Sequence, residues 1–187
     1  MVIADPTVRS PSADTATLRM QRAWQVLDGV LDPEVPAVSV RDLGIVRDVR
    51  WVGDVPGDVL EVVLTPTYSG CPATEVIEHD VLAAIDAAGL GPARVTLQRA
   101  PAWTTDWITD QGRERLRAYG IVPPGPLPPG AEVPLRFMPR AAAAPALDCP
   151  HCGSHATERL SAFGSTACKA LYRCLACREP FEHFKPL

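Results

Sequence analysis

No stretch of this sequence approaches the ~20 consecutive apolar residues of a membrane span, so none reads as a transmembrane helix. Residues 1–17 lack the apolar core of a secretory signal, and a cytoplasmic location is the expectation. Basic charge is scarce as well. The 187 residues carry 18 Lys and Arg against 22 Asp and Glu, net −4, which is not the footprint of a nucleic-acid binder. The deficit is uneven: 11 basic against 17 acidic over residues 1–130, but 7 against 5 over 131–187. No internal repeat is present. Cysteine is scarce through most of the chain: Cys71 is alone in the first 148 residues, and the other five crowd into 149–177. In a reducing compartment such thiols are metal ligands or reactive groups sooner than disulfide halves.

Proline, by contrast, is abundant, and it divides the chain. Eight of the 20 prolines fall between residues 122 and 146, which predicts a semi-rigid linker with a short docking segment at 135–138. Residues 1–13 read as a disordered tail, 14–121 as an α+β domain, and 147–187 as a separate small module. Within the domain, Met20, Ala23, Trp24, Leu27, Val30 and Leu31 recur at helical spacing, with Asp14 or Thr15 as cap and Asp32-Pro33 as the stop. Alternation over 45–52 and again at Leu60, Val62 and Leu64, across a Gly/Pro/Asp turn at 53–58, predicts a hairpin. A second helix follows, with Ile77, Val81, Ala84, Ile85 and Ala88 as its buried stripe and Gly89 as its end. Ala93, Val95 and Leu97 form a third strand, parallel to an earlier one because a helix separates them. A short helix is expected at 113–119. Trp103 and Trp107 are either caps on the core or a partner surface.

The C-terminal module is legible through its spacing. Cys149-Pro-His-Cys152 and Cys174-Leu-Ala-Cys177 are two C-x₂-C pairs, just beyond the usual separation of a four-thiolate zinc site. A module of about 40 residues has too little core to fold without such a staple. Phe163, Tyr172, Phe181 and Phe184 are expected to pack beside the metal. An iron–sulfur cluster is the rival occupant, and Cys168 is a possible extra ligand. His151 and His155 are either substitute ligands or exposed loop residues. Arg159, Lys169, Arg173, Arg178 and Lys185 predict a basic surface.

Cys71 poses the functional question. With Pro72 as the first helical residue, Cys71 would be the N-cap, where free N–H groups and the helix dipole favour a thiolate. It is then a soft-metal ligand or nucleophile; the opposing reading is a small buried hydrophobe. Thr65, Thr67, Tyr68 and Ser69 surround it with hydroxyls. No histidine stands in a base position, His79 reading as a surface residue, which argues against a thiol enzyme. Asp32 and Glu34 form a second polar cluster in a proline-bracketed loop, either metal-binding or loop punctuation, and Asp42 carries the same ambiguity.

The strings DPEVP (32–36), SVRDLGIV (39–46) and LTPTYSGCPA (64–73) resemble the small iron–sulfur assembly domain of SufT-like proteins. PAWTTDWIT (101–109), GRERLRAYGIVPP (112–124) and FGSTACKALYRC (163–174), with the cysteine pairs, resemble the PaaD family over nearly everything after about residue 17. Those proteins are accessory factors of the phenylacetyl-CoA epoxidase system. The resemblance implies an α+β domain with a small three-stranded sheet and a C-terminal zinc ribbon. It implies a non-catalytic maturation factor that supplies iron or iron–sulfur centres to the epoxidase. Cys71 becomes the thiol that handles iron or a transient cluster, with Asp32, Glu34, Thr65 and Thr67 beside it. Cys149, Cys152, Cys174 and Cys177 become the Zn²⁺ ligands. The implied partners are the epoxidase reductase or di-iron oxygenase and iron–sulfur assembly proteins, and no membrane. One cysteine supplies only one of about four cluster ligands, so a homodimer or a handover complex would complete the site. The rival readings are a structural scaffold of the epoxidase and a nucleic-acid-binding ribbon.

Overall fold

The structure is a computed structural model that describes residues 13–53, 59–68, 70–125 and 146–186. The expected tail up to residue 12, most of the 53–58 turn, Ser69, and the linker from 126 to 145 with its 135–138 segment lie outside the described residues. The fold is α+β. The chain divides into two compact units, Met1–Pro101 and Ala102–Leu187.

The first unit contains α1 (Ala13–Asp28), β1 (Val46–Val52), β2 (Val59–Leu64), α2 (Ala73–Ala87) and β3 (Ala93–Leu97). β1 and β2 pair antiparallel, and the crossover through α2 lays β3 parallel to β2, giving the sheet order β1-β2-β3. Leu60, Val62 and Leu64 share one face of β2 and are buried together with Ala23, Leu27, Ile77, Val81 and Ile85 from the helices. The opposite face carries Val59, Glu61 and Val63, and Glu61 is only 4% exposed. Its carboxylate accepts from Arg50 Nε (2.6 Å) on β1 and from Arg94 Nε and Thr96 Oγ1 (2.9 Å each) on β3, so one side chain ties all three strands. Hydrogen bonds from Arg50, Thr96 and Arg94 hold its carboxyl below the usual carboxylate range, against the cost of desolvation.

α1 stops three residues short of the expected Leu31, and Asp14 and Thr15 lie inside it rather than capping it. The early stop has a cause. Val30 and Asp32 are claimed by the strand-like segment Val38-Ser39-Val40: Val40 N donates to Val30 O and Asp32 N to Val38 O, 2.9 Å each, and Leu31 bridges to Ser39. Residues 32–38 therefore form a closed loop. Ser39 and Asp42 brace its far end, exchanging bonds from Ser39 N to Asp42 Oδ2 (3.1 Å) and from Asp42 N to Ser39 Oγ (3.0 Å). Asp42 is thus a structural residue.

The second unit holds α3 (Asp110–Ala118), β4 (Ile121–Val122), β5 (Thr157–Ser161), β6 (Lys169–Cys174) and β7 (Pro180–Phe184), with sheet order β4-β7-β6-β5. The 102–125 segment belongs to this unit and packs on the ribbon. β4 pairs parallel with β7, placing Ile121 opposite Glu182. Trp103 is buried against Phe184, ring centroids 5.9 Å apart. Arg113 spans the segment, donating to Thr105 O (2.7 Å) and Pro124 O (2.5 Å). Trp103 is thus a core residue, whereas Trp107 is half-buried.

Two surface expectations are corrected here. Phe163 does not join the ribbon core: it is 64% exposed, with Lys185 Nζ 4.5 Å from its ring centroid. Lys169 is not part of a basic surface: it is 2% exposed and pairs with Glu182 Oε2 at 2.9 Å. The reason is the loop at Gly164, where any Cβ would collide with Glu182 Oε1, and where Ser165 N donates to the same carboxylate at 2.6 Å. That loop closes over the ion pair and turns Phe163 outward.

Trp103→Ala is expected to lower the opening free energy of β7 amides by about 3 kcal/mol in hydrogen exchange, leaving β2 amides unchanged. Unchanged β7 protection would mean that Trp103 does not support the ribbon.

Candidate metal centre and thiol site

In the second unit, two matching knuckles deliver four sulfurs to one point. In each, the first cysteine N–H donates to the carbonyl five residues on: Cys149 N to Ser154 O and Cys174 N to Glu179 O, 3.0 Å each. The residue after each second cysteine lies in the left-handed region, Gly153 at φ 72° and Arg178 at φ 69°. The first knuckle uses glycine for that turn; the second forces an arginine into it. All four sulfurs lie within 4.8 Å of one another, with Cys149–Cys177 at 3.7 Å and Cys152–Cys174 at 3.6 Å. A tetrahedral ion with arms of about 2.3 Å has edges of about 3.8 Å. These sulfurs fit a single tetrahedral ion, whereas a cluster would hold them further apart around its iron and sulfide.

The thiols resist joint ionisation. N–H groups of Cys177 and Ala176 lower Cys174 to about 6. Cys177 is pushed up to about 12: the Glu179 N–H favours its thiolate, but burial and the neighbouring sulfurs outweigh it. A bound cation removes that conflict. Three of these cysteines also belong to the hydrophobic core, Cys149 and Cys174 buried beside Ala170, Tyr172 and Phe181, with Cys177 packed against them.

Cys168 stands apart from this group. It precedes β6, whose last residue is the ligand Cys174, so the length of the strand separates them. Its buried sulfur lies 3.0 Å from Thr166 Oγ1. His151 and His155 are both exposed and outside the sulfur cluster, His155 pairing with Asp148.

In the first unit, α2 begins one residue later than expected. Pro72 is the N-cap and Cys71 precedes it. The thiol is half-buried, with Ala73 N–H and the Thr74 hydroxyl bonding its sulfur. Even so, its pKa is raised: burial pushes it up, the charges of Glu34 and Asp32 add to that, and the two hydrogen bonds only partly compensate. The expected thiolate at a helix N-terminus is thereby corrected to a neutral thiol facing two carboxylates. Thr74 is a site residue that sequence reasoning missed; the signal was a hydroxyl three residues after the cysteine.

The structure brings Asp32 and Glu34 to Cys71 and gives them different surroundings. Asp32 is 7% exposed, and its Oδ1 accepts from Glu34 N (2.9 Å) and Val35 N (2.8 Å), so it shapes the loop. Glu34 is half-buried on that loop. Thr65 follows β2, bonded through its N–H to Ile45 O at 2.8 Å; its Oγ1 is buried without a hydrogen-bond partner among the described residues. Thr67 is half-buried in the same connection. His79 lies on an exposed face of α2, paired with Asp80 at 3.2 Å. Among the described residues no helix is long and apolar enough to cross a membrane.

Two families match the chain. One described as an iron–sulfur cluster assembly protein covers residues 20–97, and one described as the PaaD zinc beta ribbon domain covers residues 138–185. An Escherichia coli (strain K12) protein that carries a provisional name as one of the subunits of 1,2-phenylacetyl-CoA epoxidase is 46% identical over 173 residues, covering 92% of this chain and 96% of its own. A crystal structure of a domain of unknown function, DUF59, from Bacillus anthracis superposes at a TM-score of 0.50 with 23% identity, over 56% of this chain and 97% of that one. This last likeness bears on the fold alone.

Alkylation of Cys71 by iodoacetamide, read by peptide mapping, is expected to keep accelerating above about pH 9, past the range of an ordinary thiol. Glu34→Gln removes a negative charge and will shift the profile to lower pH. A plateau below about pH 8 would instead restore the stabilised thiolate.

Proposed function

The chain belongs to the PaaD family, and from that premise we propose that it is a non-catalytic maturation factor which passes iron or an iron–sulfur centre to the phenylacetyl-CoA epoxidase system. The observation that carries the reading is the neutral Cys71 thiol beside Asp32 and Glu34. Those carboxylates disfavour a thiolate in the empty site and favour an arriving cation. As the cation binds, Cys71 gives up its proton and becomes the soft ligand. Asp32 positions the loop, Glu34 contributes charge, Thr67 stands half-buried on the β2 side, and Thr65 is buried behind it. A single thiolate holds cargo weakly, which suits transfer. The remaining ligands come from the acceptor, an assembly protein or a second copy.

In the ribbon, Cys149, Cys152, Cys174 and Cys177 hold Zn²⁺ as a structural ion. Zinc supplies no reaction there; it joins the two knuckles and completes the core. Cys168 is a core thiol in this reading. A second reading is favoured by the relative's name, which makes it part of the epoxidase assembly: the protein is a scaffold of the epoxidase, and Cys71 handles nothing.

Metal and acid-labile sulfide analysis of anaerobically purified wild type, Cys71→Ser and Cys149→Ser separates the two. The maturation reading expects about one zinc per chain plus iron in wild type, with iron lost from Cys71→Ser, zinc retained there, and zinc lost from Cys149→Ser. Zinc alone in wild type, together with full epoxidase activity in cells carrying Cys71→Ser, would leave the scaffold. Iron retained in Cys71→Ser but lost with Cys149 would exchange the two assignments.

A further inference from the structure

Between the 32–38 loop and α2 lies a groove of about 480 Å³. The loop side contributes Leu31, Pro33 and Pro36, and α2 contributes Ala83 and the carboxylate of Asp80; Asp32 borders the groove but is only 7% exposed and bonded to its own loop. Among the described residues, no lysine, arginine or histidine lines it. α2 itself carries Glu75, Glu78, Asp80 and Asp86 without a lysine or arginine. The groove is therefore apolar in its walls and negative in its field. Leu31 is 46% exposed at one margin. Val76, also 46% exposed, shares a helical face with Asp80 and Ala83, at spacings of four and seven residues. Val76 therefore adds one exposed apolar side chain to the α2 face that borders the groove. Exposed large apolar side chains gathered beside a groove mark a protein contact.

We propose that this groove docks an extended segment of the client protein in which a lysine or arginine is flanked by apolar residues. The cation meets Asp80, and the apolar neighbours rest on Leu31, Pro33 and Val76. The proposal deepens the maturation reading and rests on it, since the client that docks is the acceptor of the cargo. Charge decides the class of occupant. Residues 1–101 carry 8 basic against 14 acidic side chains. A second copy of this unit would bring like charge into the groove, whereas a basic segment is attracted and steered.

The test is binding of the full chain to the immobilised epoxidase reductase and oxygenase, with Asp80→Lys, Ala83→Arg and Cys71→Ser as variants. Both altered residues are solvent-accessible on α2, and circular dichroism checks that the variants fold. Asp80→Lys and Ala83→Arg are expected to weaken binding at least tenfold, and wild-type binding to weaken with salt more steeply than that of Asp80→Lys. Cys71→Ser is read for its metal content alone, so that the cargo reading and the groove are scored separately. Unchanged affinity in both α2 variants overturns the proposal, as does wild-type chain that binds neither partner. Two further outcomes reassign the groove: self-association abolished by Ala83→Arg gives it to a second copy, and hydrogen-exchange protection of 29–36 in the isolated chain that Ala83→Arg removes gives it to the chain's own ribbon. If metal content proves independent of Cys71 while Asp80→Lys still abolishes binding, the cargo reading falls and the groove stands.

Discussion

The Cys71 site depends on the backbone pairing of residues 30–32 with 38–40. Without the bonds from Val40 N to Val30 O and from Asp32 N to Val38 O, α1 would run on toward Asp32, and the acidic loop would have no closed form. With them, Asp32 faces back into its own loop and spends one oxygen on the amides of Glu34 and Val35. That fixes where the negative charge sits relative to the thiol. The same pairing leaves Leu31 at the surface and opens the groove against α2. A loop of two prolines and two carboxylates would otherwise sample many shapes, and entropy would dilute its effect on Cys71.

The ribbon meets a different constraint. Its hydrophobic cluster is small and includes zinc ligands among its members, so core and metal site are one object. Loss of the ion would leave mutually repelling sulfurs in the middle of an apolar cluster, and the core could not survive intact. The 102–125 segment enlarges that core with Trp103, Ile121 and Val122, and adds a fourth strand to shield the β7 edge. The buried Lys169–Glu182 pair works within the same limit: it is tolerated because Ser165 satisfies the carboxylate further.

What the sequence disclosed and what it withheld follow from the range of the interactions involved. The hairpin, the crossover strand and the α2 stripe at Ile77, Val81 and Ile85 are short-range patterns, and all appear as expected. The C-x₂-C pairs were legible because each knuckle is a local turn, and only the long gap between the pairs is bridged by the fold. The end of α1 was misplaced because a non-local backbone pairing overrode a good helical periodicity. Lys169 and Phe163 were misassigned because no local rule says that Gly164 must let Glu182 approach. The N-terminal reading of Cys71 failed by one residue. One residue was enough, since Pro72 took the cap and the acidic loop, distant in sequence, set the sign of the pKa shift.

The two sulfur sites solve opposite problems with the same element. In the ribbon, four thiols are pre-aimed at one point and backed by N–H donors, which suits an ion that stays. At Cys71 there is one thiol, half open to solvent, its pKa raised by burial and by the charges of Glu34 and Asp32. A mixed and incomplete ligand set cannot compete with a full thiolate cage for zinc. On the proposed function it would hold an iron centre only while another molecule completes the shell. On the proposed function an incomplete site is not a defect but the condition for release, and the acidic groove between the 32–38 loop and α2 would give the acceptor a place to stand while release occurs.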